Sequence, residues 1–372
     1  MKIHGAVLER SGAQPPYAAS RPLVVTEMEL DPPGPTEVLV RIEAAGICHS
    51  DLSVVDGNRE RPLPMLLGHE AAGIVVDAGE DVTDLCVGQR VVAAFLPRCG
   101  ACAACKTDGR LPCTVGSRAN GEGALIAGGR RLHRDGESVA HHLGVSGFAT
   151  YAVMDRCSVV PVGNDVPPDV AAVLGCAVLT GGGAVLNAGR PHAGQTVAVV
   201  GLGGVGMAAL LVAASLDGVT VIGVDANPDK VAAAPAFGAH RALTPSQALA
   251  EHLVADVVVE CAGVVPAFET AVKLTAPGGR TVTVGLPAPT AQARMSPLDL
   301  VSGAREIVGS YLGSAVPSRD IPYYETLWRT GKLPLEKLIS THIPLSEVNA
   351  GFDALARGEA IRQIIQFPGA CA

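Results

Sequence analysis

The stretch Gln195-Thr-Val-Ala-Val-Val200 runs directly into Gly201-Leu-Gly-Gly-Val-Gly206 and then into the apolar segment Met207-Ala-Ala-Leu-Leu-Val-Ala-Ala214. A second apolar run, Val219–Val224, ends in Asp225. Strand, glycine turn, helix, strand and acid in this order form the context that dinucleotide binding requires. Gly201 permits the tight turn, Gly203 lets a pyrophosphate approach the backbone, and Gly206 allows close helix–strand packing. The amides opening the helix, around Gly204 and Val205, offer favourable dipoles to the anion. An acid about twenty residues beyond the turn suits both ribose hydroxyls and repels a 2′-phosphate, so NAD is expected over NADP.

Outward from this stretch the alternation continues. Asp256–Glu260, Thr281–Gly285 and Glu306–Leu312 read as further buried parallel strands, which makes five identified runs of a doubly wound sheet expected to hold six over about residues 178–312. An amphipathic helix near Leu345–Arg357 and a strand at Ile361–Phe367 close the chain. Toward the N-terminus, Glu37–Glu43 and Gly73–Asp77 alternate with period two and are punctuated by Asp31-Pro-Pro-Gly-Pro35, as antiparallel strands would be. The fold class is therefore α/β, with a β-rich domain beside the doubly wound sheet.

Two constellations carry candidate metal chemistry. Cys99, Cys102, Cys105 and Cys113 stand at CxxCxxC-x7-C spacing, which can wrap one zinc and leave no reactive position. The alternative is a redox or disulfide cluster. The stretch Cys48–Glu70 holds the second constellation, with Cys48-His-Ser-Asp51 at one end and Gly68-His-Glu70 at the other. A catalytic zinc keeps three protein ligands, so Cys48 and His69 need a third from elsewhere. Cys176 follows Gly175 in a run of small apolar residues, where a lone Cys is ordinarily a buried hydrophobe. Residues 114–147 read as an irregular surface excursion. His141 and His142 are adjacent, and adjacent strand residues face opposite ways, so surface positions are expected for both.

Composition bounds the partners. Of 372 residues, 48% are hydrophobic and 17% charged, as in a well-buried globular protein. Net charge is -8, with no basic patch, which argues against nucleic-acid binding. The first thirty residues lack an apolar signal core, and apolar runs are broken by Gly, Pro or charge, so no membrane association is expected. The ten cysteines then suit a cytoplasmic protein that uses thiols for metal rather than disulfides.

These motifs together resemble the zinc-dependent medium-chain alcohol dehydrogenase family, over essentially the whole chain and most closely its longer liver-type and formaldehyde dehydrogenase branches. The resemblance rests on CHSD at Cys48–Asp51, GHE at Gly68–Glu70, the four-cysteine lobe, GCAVLTG at Gly175–Gly181 and GLGGVG at Gly201–Gly206. It implies a GroES-like catalytic domain over 1–177, including the lobe 99–113. It further implies a Rossmann domain over 178–312 and a segment 313–372 completing the catalytic domain.

The resemblance also implies site roles. Cys176 matches the third ligand of a catalytic zinc beside Cys48 and His69, placing that metal in the cleft between the domains, while the four-cysteine lobe matches a structural zinc. Ser50 matches the hydroxyl that begins proton exit, Asp51 the carboxylate orienting the ligand histidine, and Glu70 the acid behind the metal. Asp225 and Lys230 match adenosine-ribose contacts, and His49 and Arg362 match positions facing pyrophosphate. Phe95, Leu143 and Leu286 match the substrate pocket.

The implied activity is hydride transfer between NAD and a small alcohol or aldehyde, in a homodimer with two Zn²⁺ per chain. Oxidation of an S-hydroxymethyl thiol adduct is the alternative, and a non-catalytic zinc and dinucleotide binder the more distant one. Two departures stand out. Ser53 occupies the place of a relay histidine, and the basic Gly57–Arg61 replaces the acidic stretch of the glutathione-dependent branch.

Overall fold

The computed structural model describes residues 1–367. Two compact units form, one from Met1–Cys176 with the returning segment from Ile339, the other from Ala177–Leu338. The second therefore reaches 26 residues beyond the boundary at 312 expected from sequence. The reason is the helix Pro317–Arg329, whose buried Tyr324 packs with its hydroxyl against Gly182 and whose Asp320 accepts from Asn187 Nδ2 at 3.1 Å. Its amphipathic face does not by itself say which unit it covers.

In the first unit, Lys2–Leu8, Leu23–Leu30, Leu132–Arg134, Glu137–His141 and Met65–Leu66 close a small barrel. Ile3, Val7, Met28, Leu66 and Val139 fill part of its core. Beside it, the long strand Glu37–Ile47 is the spine of a second sheet. It pairs antiparallel with Ala71–Ala78 on one edge, and on the other with Tyr151–Asp155 at its start and Arg362–Gln366 at its end. The last strand expected from sequence is therefore the neighbour of the strand that ends at Ile47, one residue before Cys48. Residues 114–147, expected to be irregular, hold the helix Thr114–Glu122 and two of the barrel strands.

The second unit has six parallel strands in the spatial order Arg241–Leu243, Thr220–Val224, Thr196–Val200, Ala255–Glu260, Thr275–Thr283, Glu306–Gly309. Numbered by sequence this is 3-2-1-4-5-6, the doubly wound order whose switch point lies at the first strand. Val197–Val200 are buried because helices cover both sheet faces, which explains the continuous apolar run. The final strand stops at Gly309, short of the expected Leu312, whose φ of +51° leaves the extended region. One helical run, Pro168–Gly189, has the length and hydropathy of a membrane span, but 89% of its apolar window is buried in the protein.

Candidate active site

Cys48 ends the spine strand and caps the short helix His49–Val55. Asp51 stands at the third helical position and reaches back, its Oδ2 accepting the Cys48 N–H at 3.2 Å. The CHSD motif is thus a capping box in which the cap is a thiol and the returning side chain an aspartate. Ser50, one residue earlier, is half-buried in the first turn and does not act as the cap. Gly68 provides the second approach. Its φ is +91°, and a β-carbon there would meet Phe148 N at 2.4 Å, so only glycine makes the turn that aims His69 inward. Cys176 sits in a π-helical turn, Leu174–Val178, a wide-turn geometry common at functional positions.

These elements bring the three expected donors together. Cys48, His69 and Cys176 are buried, with Sγ, ring-nitrogen and Sγ atoms all within 4.8 Å of one another. Cys176 Sγ lies 3.4 Å from His69 Nε2. Tetrahedral zinc with Zn–S near 2.3 Å and Zn–N near 2.05 Å has an S–N edge of about 3.5 Å. The other face of His69 is set by Asp51, whose Oδ1 is 3.0 Å from Nδ1. An ionised carboxylate only accepts, so Nδ1 carries a proton and Nε2 is the nitrogen that would face a metal. Burial opposes charging the ring, but Asp51 and Cys48 outweigh it and raise His69 well above its usual range in the protein alone.

Electrostatics support the fit. Asp51 and Glu70 are 0% exposed and Arg362 only 3%. Burial works against ionising Asp51, but His69 and His142 outweigh it and hold the carboxyl below its usual range. A hydrogen bond from Cys176 is the main force holding the Cys48 thiol well below its ordinary value, and the same contact pushes Cys176 well above. Burial lifts Glu70 to about 7. Its two carboxylate oxygens have no hydrogen-bond partner among the described residues, and Arg362 Nε stands 3.4 Å away. Asp51 and Cys48 thus favour their charged forms, while Cys176 and Glu70 hold their protons more tightly than usual in the protein alone. A divalent cation held by Cys48, His69 and Cys176 would offset the charge of the thiolates there.

The lobe is equally well formed. All four sulfurs of Cys99, Cys102, Cys105 and Cys113 lie within 4.8 Å of each other. Cys99–Cys105 and Cys102–Cys113 are each 3.9 Å apart, near the S–S edge of about 3.8 Å expected around tetrahedral zinc and far from the 2.03–2.05 Å of a disulfide. Backbone amides of Cys99 and Gly116 donate to Cys113 Sγ at 3.4 Å, as thiolates require. The nine described cysteines are all free thiols, so the redox alternative finds no support.

In the second unit the glycine turn fits a dinucleotide. A β-carbon on Gly203 would meet nothing within 4 Å, leaving open space before the helix Gly204–Ala214. On Gly206 it would strike Gly201 O at 1.9 Å, so that glycine serves helix–strand packing. Val205 is half-buried in the first helical turn. Asp225 accepts Leu202 N–H at 2.6 Å and Asn227 N–H at 2.8 Å, which fixes its carboxylate at the end of the second strand. Lys230 is half-buried on the helix Pro228–Ala233.

Other expected residues fall in varied places. Phe95 packs edge-on against the His69 ring, with centroids 5.4 Å apart, and Leu143 is buried. Leu286 is exposed in the second unit. His49 is exposed at the start of its helix. Arg362 Nη1 donates to Ile47 O at 2.9 Å and its guanidinium faces Glu70, behind Cys48. Ser53 donates its Oγ proton to His49 O at 2.9 Å, so its hydroxyl is used within its own helix. The expectation of surface positions for His141 and His142 is overturned, since both are buried at the end of a barrel strand. They do face opposite ways. His141 Nε2 accepts Arg131 N–H at 3.0 Å, while His142 Nδ1 lies 3.2 Å from Asp51 Oδ1.

Comparison with known proteins gives a consistent result. The model for the alcohol dehydrogenase GroES-like domain matches residues 34–164, and that for zinc-binding dehydrogenases matches residues 204–329. Alcohol dehydrogenase 1 of Oryza sativa subsp. indica is 34% identical over 362 residues, covering 94% of this chain and 95% of its own. Alcohol dehydrogenase class-3 of Drosophila melanogaster is 33% identical over 364 residues, covering 94% and 96%. The crystal structure of benzyl alcohol dehydrogenase from Acinetobacter calcoaceticus is 30% identical, with a TM-score of 0.89 and 99% of both chains covered. With both domain models matched and relatives aligned along nearly all its length, this oxidoreductase belongs to the zinc-dependent medium-chain alcohol dehydrogenase family.

Proposed function

We propose that this protein is an NAD-dependent zinc alcohol dehydrogenase that interconverts a small primary or aromatic alcohol with its carbonyl compound. The buried group Cys48, His69 and Cys176 carries this reading, because it offers three donors suited to zinc and leaves room in a tetrahedral shell for substrate. When bound, zinc supplies Lewis-acid polarisation of the substrate oxygen, and NAD supplies the ring that accepts hydride.

The chain's own residues do the rest. Asp51 keeps His69 in the tautomer whose Nε2 faces the thiols. Phe95, edge-on to the His69 ring, gives the site an apolar wall that excludes water and suits apolar substituents, and the buried Leu143 would extend it. Ser50 takes the alcohol proton and passes it to solvent, since the Ser53 hydroxyl is already committed to His49 O. Asp225, held by two backbone amides, accepts from ribose hydroxyls and disfavours a 2′-phosphate.

A homodimer belongs to this reading. It draws support from the edge position of the strand Glu306–Gly309 beside the exposed Leu298 and Val301. Cytoplasmic location draws support from the nine free thiols. A second reading, oxidation of S-hydroxymethyl thiol adducts, draws on the likeness to the class-3 relative, with Arg59 and Arg61 favouring an anionic thiol over glutathione's contacts.

The test is a spectrophotometric screen of NAD and NADP reduction with primary, secondary, aromatic and thiol-adduct alcohols, alongside zinc analysis. NAD reduction by simple alcohols at about two zinc per chain is the expected result. Formaldehyde oxidation only in the presence of a thiol would favour the second reading. One zinc per chain without turnover would overturn both.

A further inference from the structure

Asp51 is the meeting point of three segments distant in sequence. Its Oδ2 accepts Cys48 N–H at 3.2 Å, and its Oδ1 accepts Gly68 N–H at 3.2 Å and faces His69 Nδ1 at 3.0 Å. A fourth group reaches the same Oδ1. His142 Nδ1 lies 3.2 Å away, within ion-pair distance but without regular hydrogen-bond geometry, and the His142 ring stands edge-on to that of His69 with centroids 5.5 Å apart at 90°.

We propose that His142 is a positioning residue for the ligand His69, acting through the carboxylate that the two rings share. The inference rests on the reading of Cys48, His69 and Cys176 as a zinc site.

Three observations carry it. First, an ionised carboxylate only accepts, so the favourable orientation of both rings places N–H at Nδ1, and His142 restrains the oxygen that fixes the His69 tautomer. Second, His142 is held where it stands. Its N–H donates to Ser146 Oγ at 2.9 Å, its carbonyl accepts from Val145 N at 3.1 Å, and Ser146 Oγ donates to Leu66 O at 2.9 Å. The loop is thereby tied to the strand that delivers His69. Third, packing alone does not account for an imidazole. His142 is fully buried, and neither of its ring nitrogens makes a regular hydrogen bond among the described residues, a cost that an apolar ring of similar size would avoid and that the close approach of Nδ1 to Asp51 offsets.

The test compares the wild-type holoenzyme with His142→Phe and His142→Asn. The phenyl ring keeps the packing and loses the donor, whereas the Asn amide returns an N–H close to the position of Nδ1. Zinc release to a chromogenic chelator is followed with the four-cysteine site as internal control, and the absorption of Co²⁺ exchanged into the catalytic site is recorded. His142→Phe is expected to weaken catalytic-site affinity by roughly 10–100-fold and to shift the Co²⁺ bands, with the lobe zinc unaffected. His142→Asn is expected to restore both. Wild-type affinity and spectrum in the Phe variant would overturn the inference, as would equal loss in both variants. If the Phe variant does not fold, the Asn variant decides alone, since retained affinity supports the role and loss overturns it. A wild-type protein with zinc only in the lobe would instead overturn the functional reading beneath it.

Discussion

A β-carbon on Gly46 would lie 2.0 Å from Glu70 Oε1 and 2.6 Å from its Cδ. The buried acid behind the metal ligands occupies the space that a side chain on the spine strand would take. Gly46→Ala is therefore expected to drive the carboxylate from its place 3.4 Å from Arg362 Nε. Turnover should drop by about 10–100-fold, the usual effect of losing a partner around a metal site. Steady-state kinetics with zinc analysis check this, and unchanged kcat/KM would show that Glu70 is not needed where it stands.

Cys176→Ala removes one of three buried donors and none of the lobe's. Zinc should fall from about two per chain to about one. Turnover should vanish, while NADH binding, read by fluorescence, stays. Residual turnover near the wild-type rate would mean that Cys176 is not a ligand.

Cys113 is buried, caps the helix Thr114–Glu122 and receives two backbone amides on its sulfur. Cys113→Ser should release the other zinc, lower Tm and open the chain to limited proteolysis between 99 and 113. The catalytic-site zinc should remain. Loss of both metals together would show the two sites to be coupled.

Gly203→Ala and Asp225→Asn probe the cofactor separately from the fold. The alanine methyl meets no protein atom within 4 Å, so Tm should hold while KM for NAD rises. Removing the Asp225 charge forfeits hydrogen bonds worth about 1.5–3 kcal/mol each, hence a KM increase of roughly 10–100-fold and weaker discrimination against NADP. An NADP preference in the wild type would contradict the assignment of Asp225.

Acid sensitivity should trace in part to His141. Burial, aided by the charges of Arg130 and Arg131, pushes its pKa down to about 3, against about 6.5 for an unfolded histidine. Between those values the unfolded chain binds a proton that the native state refuses. Stability from this group is complete above pH 6.5 and declines as pH falls through the window, by a few kcal/mol at most. His141→Gln should flatten that slope. Urea unfolding of both proteins at pH 5 and pH 7 measures the difference, and identical slopes would refute it.

Cys48 and His69 were legible because zinc tolerates few side-chain types and their motifs are short, whereas Cys176, in a run of small apolar residues, came only through the family resemblance. Cys48 and Asp51 sit in one helical turn, and Gly68 and His69 in one bend. The Rossmann unit was legible because a sheet covered on both faces needs unbroken apolar strands. His142 escaped because its partner Asp51 is 91 residues away, and nothing in Ala140–Leu143 distinguishes a buried imidazole from an exposed one. The inward turn of Arg362 was hidden for the same reason, since its carbonyl partner on Ile47 is 315 residues earlier. Ser53 shows the opposite case, a local i to i−4 bond that could have been foreseen from helix geometry.

That 315-residue separation also sets an order of events in biosynthesis. Cys48, His69 and Cys176 leave the ribosome well before the strand Arg362–Gln366 that flanks the spine and the guanidinium that braces Ile47. Closing so long a loop is slow, and the early thiols wait meanwhile without their supporting neighbour. A nascent chain interrupted before Arg362 carries every ligand yet lacks the frame to hold them.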